Sequence, residues 1–360
     1  MKKFRLWKLP FLKWATSGAA FAFSVLLFSP ISHVTNIQQE LKDSLSIVAV
    51  GDVMLDGNAL PFIRKKGADY PFDSTKTIIQ SADIAFANLE APFTSSGNIF
   101  KKKFIFKVPP EYAVGLVYAG FDILSLANNH ILDYGKRGLL STLHTLDSLG
   151  IAHCGAGRDL KEAEQESILK KNGWRVGFLA YSLTYPEGFW ATSERCGTAY
   201  PDLKGLKKNI SSLKRKVDIV VVSFHWGSEL MIHPKSYQRF YAHRAIDWGA
   251  DLVLGHHPHV LQGLEIYNSK LIAYSLGNFV FGSYSSKVQE SIILKVRFDR
   301  NGSLTAQVIP IFVFNFKVRF QPRLLKRDAR GKVLQKLNII SKDLNQGEKI
   351  IAESGYIIKN

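Results

Sequence analysis

The stretch DLVLGHHPHVLQG, residues 251–263, runs from an apolar Leu-Val-Leu segment straight into His256, His257, Pro258 and His259. A short apolar run closed by glycine reads as a buried strand. Such strands normally end on turn formers, and three imidazoles in four positions are not turn formers. Pro258 fixes φ and so stiffens the bend between the last two. The arrangement recurs along the chain. SLSIVAVGDV (44–53) closes on Asp52, and ADIAFANLE (82–90) closes on Asn88 and Glu90. FDILSLANNH (121–130) closes on Asn128, Asn129 and His130, with Asp133 just beyond. VDIVVVSFHWGSE (217–229) delivers His225 and Glu229. RVGFLAYS (175–182) and LIAYSLGNFVF (271–281) read as two more strands.

Between the strands lie helical patterns with apolar residues three and four apart, such as GKRGLLSTLHTLDSLG (135–150) and PKSYQRFYAHRAIDWG (234–249). Near-continuous apolar strands alternating with helices predict an α/β domain whose sheet is covered on both faces. After residue 290 the pattern becomes a β-hairpin turning at Asn301-Gly302, followed by a helix near GKVLQKLNIISKDL (331–344). No repeat or Gly/Ser-rich linker interrupts the chain. The division expected is an N-terminal segment over 1–40, one domain over 41–325, and a basic tail over 326–360 whose helix packs on that domain.

The N-terminal segment reads as targeting. Lys2, Lys3, Arg5, Lys8 and Lys13 precede an uncharged run from Trp14 to Ser32. As a helix that run would span roughly 28 Å, close to a bilayer core. Positive residues ahead of it put the rest of the chain outside the cytoplasm. The reading is a single-pass signal anchor in the cell membrane, with a cleaved signal peptide and a secreted or periplasmic product as the alternative. The net charge is +17 over 360 residues. It is scattered, with no helix-turn-helix, finger or stacking pattern, which points to anionic polymers, acidic glycans and the membrane surface and away from nucleic acid. Cys154 and Cys196 have no metal-type spacing, and a disulfide and two free thiols stand as equal alternatives.

In α/β sheets ligands collect where the carboxyl ends of strands open. Five strands deliver carboxylate, amide and imidazole groups to that rim. Mixed oxygen and nitrogen donors suit Mn, Fe or Zn, and six donors are too many for one tetrahedral ion. Two divalent ions sharing a carboxylate fit them better. Each residue alone has a plainer explanation: Asp52 as a turn aspartate, Glu90 as a solvated carboxylate, Asn128-Asn129 as a loop. Their joint occurrence at strand ends outweighs those readings. Trp190, Trp226 and Tyr241 read as core aromatics first and as walls of a sugar or polymer groove second.

The ordered blocks GDVML, ANLEAPFT, LANNHILDYG, FHWGSE, GHHPHVLQG and YSLGNFVFG resemble those of the bacterial capsule synthesis family (CapA or PgsA), itself similar to the calcineurin-like metallophosphatases. The resemblance implies a four-layer α-β-β-α sandwich. It further implies metal ligation by Asp52, Glu90 (the shared carboxylate), Asn129, His225, His257 and His259. His130 would protonate a leaving oxygen, with Asp133 orienting it. Asn88, His256 and Asn278 would act on substrate or behind the ligands, although Ser275, Gly277 and Asn278 read first as a structural turn. One departure stands out. Where the superfamily has Asp-x-His, this chain has Asp52-Val53-Met54, so one metal lacks an imidazole and Asp56 is the candidate substitute. The implied partners are the membrane, an anionic polymer or phosphorylated envelope component, and poly-γ-glutamate synthase subunits. Two functions follow: a metal-dependent phosphoesterase-like hydrolase, or a non-catalytic assembly and export factor.

Overall fold

Residues 43–358 are described by the computed structural model, so the expected anchor lies outside the described residues. The strands in chain order are β1 (Ser44–Met54), β2 (Ile84–Leu89), β3 (Ile123–Ser125), β4 (Ala152–Cys154), β5 (Ala156–Gly157), β6 (Ser167–Lys171), β7 (Trp174–Ser182) and β8 (Gly197–Thr198). They continue with β9 (Ile219–His225), β10 (Leu252–His256), β11 (Leu264–Tyr267), β12 (Lys270–Ala273), β13 (Asn278–Phe281), β14 (Glu290–Asp299), β15 (Leu304–Phe312) and β16 (Arg323–Leu324). One sheet runs β16-β15-β14-β1-β2-β3-β4, with β13 also beside β1; a second runs β11-β12-β10-β9-β7-β6, and β5 and β8 pair antiparallel as a small third sheet. In the first, β1 to β4 are parallel, and in the second β7, β9, β10 and β12 are.

Side-chain alternation along these strands builds three cores. Leu45, Ile47 and Ala49 of β1 and Phe86 of β2 meet Phe178, Val221 and Leu254 of the second sheet in one apolar layer between the sheets. Val48 and Val50 take the opposite face, with Leu116, Leu139, Leu143 and Leu146 from the helices Val114–Ala119 and Gly135–Ser148. On the far side of the second sheet, Val220, Val222 and Phe224 pack with Leu206, Ile210, Ala242 and Ala245 from the helices Leu203–Lys214 and Ser236–Asp247. The layer order is therefore helices, sheet, sheet, helices. The helix Arg327–Ser341 adds Val333, Leu334 and Leu337 to the inter-sheet core.

The stretch 271–281 departs from its reading as one strand. It is two strands in different sheets, β12 and β13. The chain crosses at Gly277, whose φ of 74° is a conformation glycine adopts without steric cost. The Gly277 carbonyl accepts from Asp52 N at 3.0 Å. It approaches so closely that a Cβ on Gly51 would stand 1.8 Å from its oxygen. Two glycines thus let β13 lie against the end of β1, bringing Asn278 into register with Asp52.

Candidate metal centre

The parallel strands of both sheets open toward one place. Asp52 ends the regular part of β1, Asn88 faces it from β2, and Glu90 follows that strand. His225 closes β9 beside His256, which closes β10. Asn129 and His130 leave β3, and Asn278 begins β13. Asp52, Asn88, Glu90, His225 and His256 are buried to within 1%. Beyond β10 the backbone is strained: His257 has φ 94° and His259 φ 60°. Left-handed conformations at non-glycine residues cost about 1–3 kcal/mol each and gather at functional sites. The turn is held by Leu230 N donating to Pro258 O at 2.8 Å and His257 N donating to an Asp52 oxygen at 3.3 Å.

Two groups of donors form among the described residues: Glu90, His225 and His257, and Asp52, Glu90 and His259, with ligand atoms in each within 4.8 Å of one another. Glu90 Oε1 lies 3.7 Å from His225 Nε2 and 3.8 Å from His259 Nε2. Asn129 Oδ1 is 2.8 Å from His225 Nε2 and joins the first group. Asn278 Oδ1 is 2.9 Å from His259 Nδ1 and joins the second. Glu90 Oε1 and His257 Nδ1 are buried with no hydrogen-bond partner. Unpartnered buried polar atoms are costly, and a divalent cation would satisfy both. These residues fit a pair of ions with Glu90 between them.

Protonation follows the same division. Burial, then the charge of Asp52, pushes Glu90 well above the usual carboxylate range. Burial acts the same way on Asp52, yet His256 and His259 beside it hold it well below. Burial drives His225 well down and His257 to about 3, so both imidazoles are neutral, the form that binds metal. Burial opposes a charge on His259 too, but the carboxylates of Glu90 and Asp52 lift it to about 9.

The model for "Bacterial capsule synthesis protein PGA_cap" matches residues 46–283. The capsule biosynthesis protein CapA of Bacillus anthracis is 32% identical over 79% of this chain and 69% of its own length. The PGA biosynthesis protein CapA of Bacillus subtilis is 35% identical over 75% of this chain and 72% of its own. This chain belongs to the bacterial capsule synthesis protein family. Among solved structures it is similar to a putative 5′-nucleotidase from Staphylococcus aureus (14% identity, 84% of this chain, 58% of that one, TM-score 0.47).

In this member of the capsule synthesis family, His130 Nδ1 meets Asp133 Oδ2 at 2.8 Å, which leaves Nε2 free to point elsewhere. A carboxylate partner by itself would keep this imidazole protonated. Here burial outweighs Asp133, the Lys102 charge adds to burial, and His130 is pushed down. Lys102 escapes a reading of the sequence, where it sits in the run Lys101-Lys102-Lys103 that looks like a solvated surface. Its ammonium pairs with Asp133 Oδ1 at 2.5 Å, donates to the Asn129 carbonyl and stands 3.1 Å from His130 Nδ1. Only the folding of the irregular segment before Val108 onto β3 brings it there, and no local spacing signals it.

Other residues separate. Asn88 Nδ2 donates to Asp52 Oδ1 at 2.8 Å and so braces a ligand. Asn128, which alone looked like a loop residue, ties Leu89 O to the backbone of His130 and Ile131. His256 sits 3.4 Å from Asp52 Oδ1, behind the centre, against the Phe86 ring. Asp56 does not replace the missing imidazole: its carboxylate turns away to accept from Lys107 N at 2.8 Å. Val53 and Met54 are buried in the outer apolar core. Cys154 and Cys196 are free and buried. Trp226 is a core residue donating to Tyr274 O, whereas Trp190 and Tyr241 line an open cleft. That cleft, about 640 Å³, reaches Asn129 and His257; a smaller one of about 170 Å³ reaches His130, His259 and Asn278 between Phe106 and Phe281.

Proposed function

We propose that this chain serves the biosynthesis of a poly-γ-glutamate capsule or related polymer as a dinuclear, metal-dependent phosphoesterase-type hydrolase, held outside the membrane by residues 14–32. The observation that carries the reading is Glu90, buried between two sets of imidazoles with an oxygen unpartnered. The names of the Bacillus relatives support the capsule role.

Glu90, His225, His257 and Asn129 would hold one ion, and Asp52, Glu90, His259 and Asn278 the other. Bound divalent ions supply Lewis acidity toward a phosphoryl oxygen and make water acidic enough to attack near neutral pH. The chain supplies the rest. Asp133 fixes the His130 tautomer, directing Nε2 toward the small cleft, where a leaving oxygen takes its proton. An anionic phosphodiester beside His130 favours the imidazolium and offsets the burial that keeps it neutral in the free protein. Lys102 neutralises Asp133 from the Nδ1 side of His130.

A second reading, an assembly and export factor in which metal serves only the fold, is favoured by Met54 occupying the sequence position where the family resemblance expects an imidazole, its side chain buried in the outer core. Turnover of a chromogenic phosphodiester with added Mn²⁺ separates the two. The hydrolase reading expects His130→Ala to keep its metal and lose about 10²–10⁴-fold in rate. It also expects His257→Ala to lose metal and rate together. Equal rates in the wild type and His257→Ala would eliminate the hydrolase.

A further inference from the structure

The larger of the two clefts beside the metal centre is walled on one side by aromatic rings that the phosphoesterase chemistry does not use. Tyr185, Trp190, Tyr200, Tyr237 and Tyr241 line it, and Asn129 and His257 form its inner end. The rings are fixed in place. Trp190 Nε1 donates to Thr184 O at 3.1 Å, and the Trp190 carbonyl accepts from Arg195 Nη2 at 2.9 Å. The Trp190 and Tyr200 rings lie 4.1 Å apart at 34°, and Tyr185 extends the surface at 6.2 Å from Trp190 while remaining 74% exposed. The Tyr237 hydroxyl accepts from Gly227 N at 2.7 Å.

We infer that this cleft is a subsite for a pyranose ring attached to the phosphoryl group that the ions would hold. Trp190 and Tyr200 pack against each other, so they offer a single shelf, and a flat base would have only one face covered there. A sugar suits a shelf: its C–H face lies on the rings and its hydroxyls turn outward. Ser228, Glu229 and Lys235 line the same cleft and provide donors and acceptors for those hydroxyls. A polycarboxylate suits it poorly. The lining carries one lysine against one glutamate, without the cationic excess that a string of carboxylates requires. The proposal deepens the phosphoesterase reading by naming its substrate class, but sugar stacking on the shelf needs no ion.

Because of that independence, the test uses two uncharged pyranosides and one polycarboxylate as the contrast. Methyl glucoside, methyl N-acetylglucosaminide and a γ-linked glutamate trimer are each mixed with the full chain and followed by saturation-transfer NMR and tryptophan fluorescence. The expected result is transfer to the ring protons of a pyranoside, a fluorescence change on titration, and no transfer to the trimer. Trp190→Ala should abolish the transfer, and Tyr185→Ala, at an exposed position that folding tolerates, should weaken binding about tenfold. Absence of transfer to both pyranosides, preference for the trimer, or binding that survives both substitutions overturns the subsite. Metal content measured on the same samples reports separately on the phosphoesterase reading, so either can fail without the other.

Discussion

The two donor groups of the candidate metal centre share Glu90 and differ in almost everything else. On the side of His225 and His257 the donors are neutral imidazoles, and His257 Nδ1 has no partner. On the side of Asp52 and His259 the donors already satisfy one another. Asp52 accepts from Asn88 at 2.8 Å and lies 3.1 Å from His259 Nδ1, and His259 holds a proton up to about pH 9. A cation entering the first half meets the unpartnered His257 Nδ1 and displaces only the uncharged contact between His225 Nε2 and Asn129 Oδ1. A cation entering the second must displace a proton and break an ion pair. Burial alone does not make a good metal site; what counts is which donors the fold leaves unsatisfied.

The largest effect should come from the residue the halves share. Glu90→Gln keeps the shape and removes the charge, and metal analysis should show both ions weakened by more than about 100-fold. Retention of either at wild-type affinity would mean that Glu90 is not shared. A smaller effect sharpens the contrast. Calorimetric titration of the metal-free protein should resolve two binding steps at least about tenfold apart. Asn278→Ala should weaken only the second of them, since Asn278 Oδ1 faces His259. Two equal steps would erase the distinction between the halves.

The smallest effect is on stability. Folding raises His259 from 6.5 to about 9, so its contribution is complete below pH 6.5 and is lost as pH rises through about 9. Glu90, also raised, acts in the same sense. The melting temperature of chelator-treated protein should therefore fall from about pH 7 to about pH 10, while saturating divalent cation, standing in for the proton, should flatten that slope. A flat curve without metal would show that the second half holds no proton to displace.

Much of the centre was legible because it obeys local rules. An apolar run followed by a polar group marks a strand end, and in a parallel sheet strand ends share one edge, so Asp52, Glu90, His225 and His257 could be brought together on paper. Lys102 could not, because its approach to Asp133 depends on how an irregular segment folds back across that edge. Nor could the turning away of Asp56, since a carboxylate four residues beyond Asp52 can face either the centre or a neighbouring loop. The aromatics divide in the same way. Trp226 and Trp190 look alike in sequence, yet one is sealed between Phe224 and Tyr274 and the other borders a cleft.

By itself the sequence determined the α/β class, most of the long strands, several helices and the donor types at the strand ends, since hydrophobic periodicity and chain punctuation act over a few residues. Only the tertiary structure decided which donors remain free, where Lys102 and Asp56 point, and which rings face solvent. Those outcomes depend on contacts between segments far apart in the chain, from 31 positions for Lys102 and Asp133 to 207 for Asp52 and His259, where packing and electrostatics leave no short-range trace.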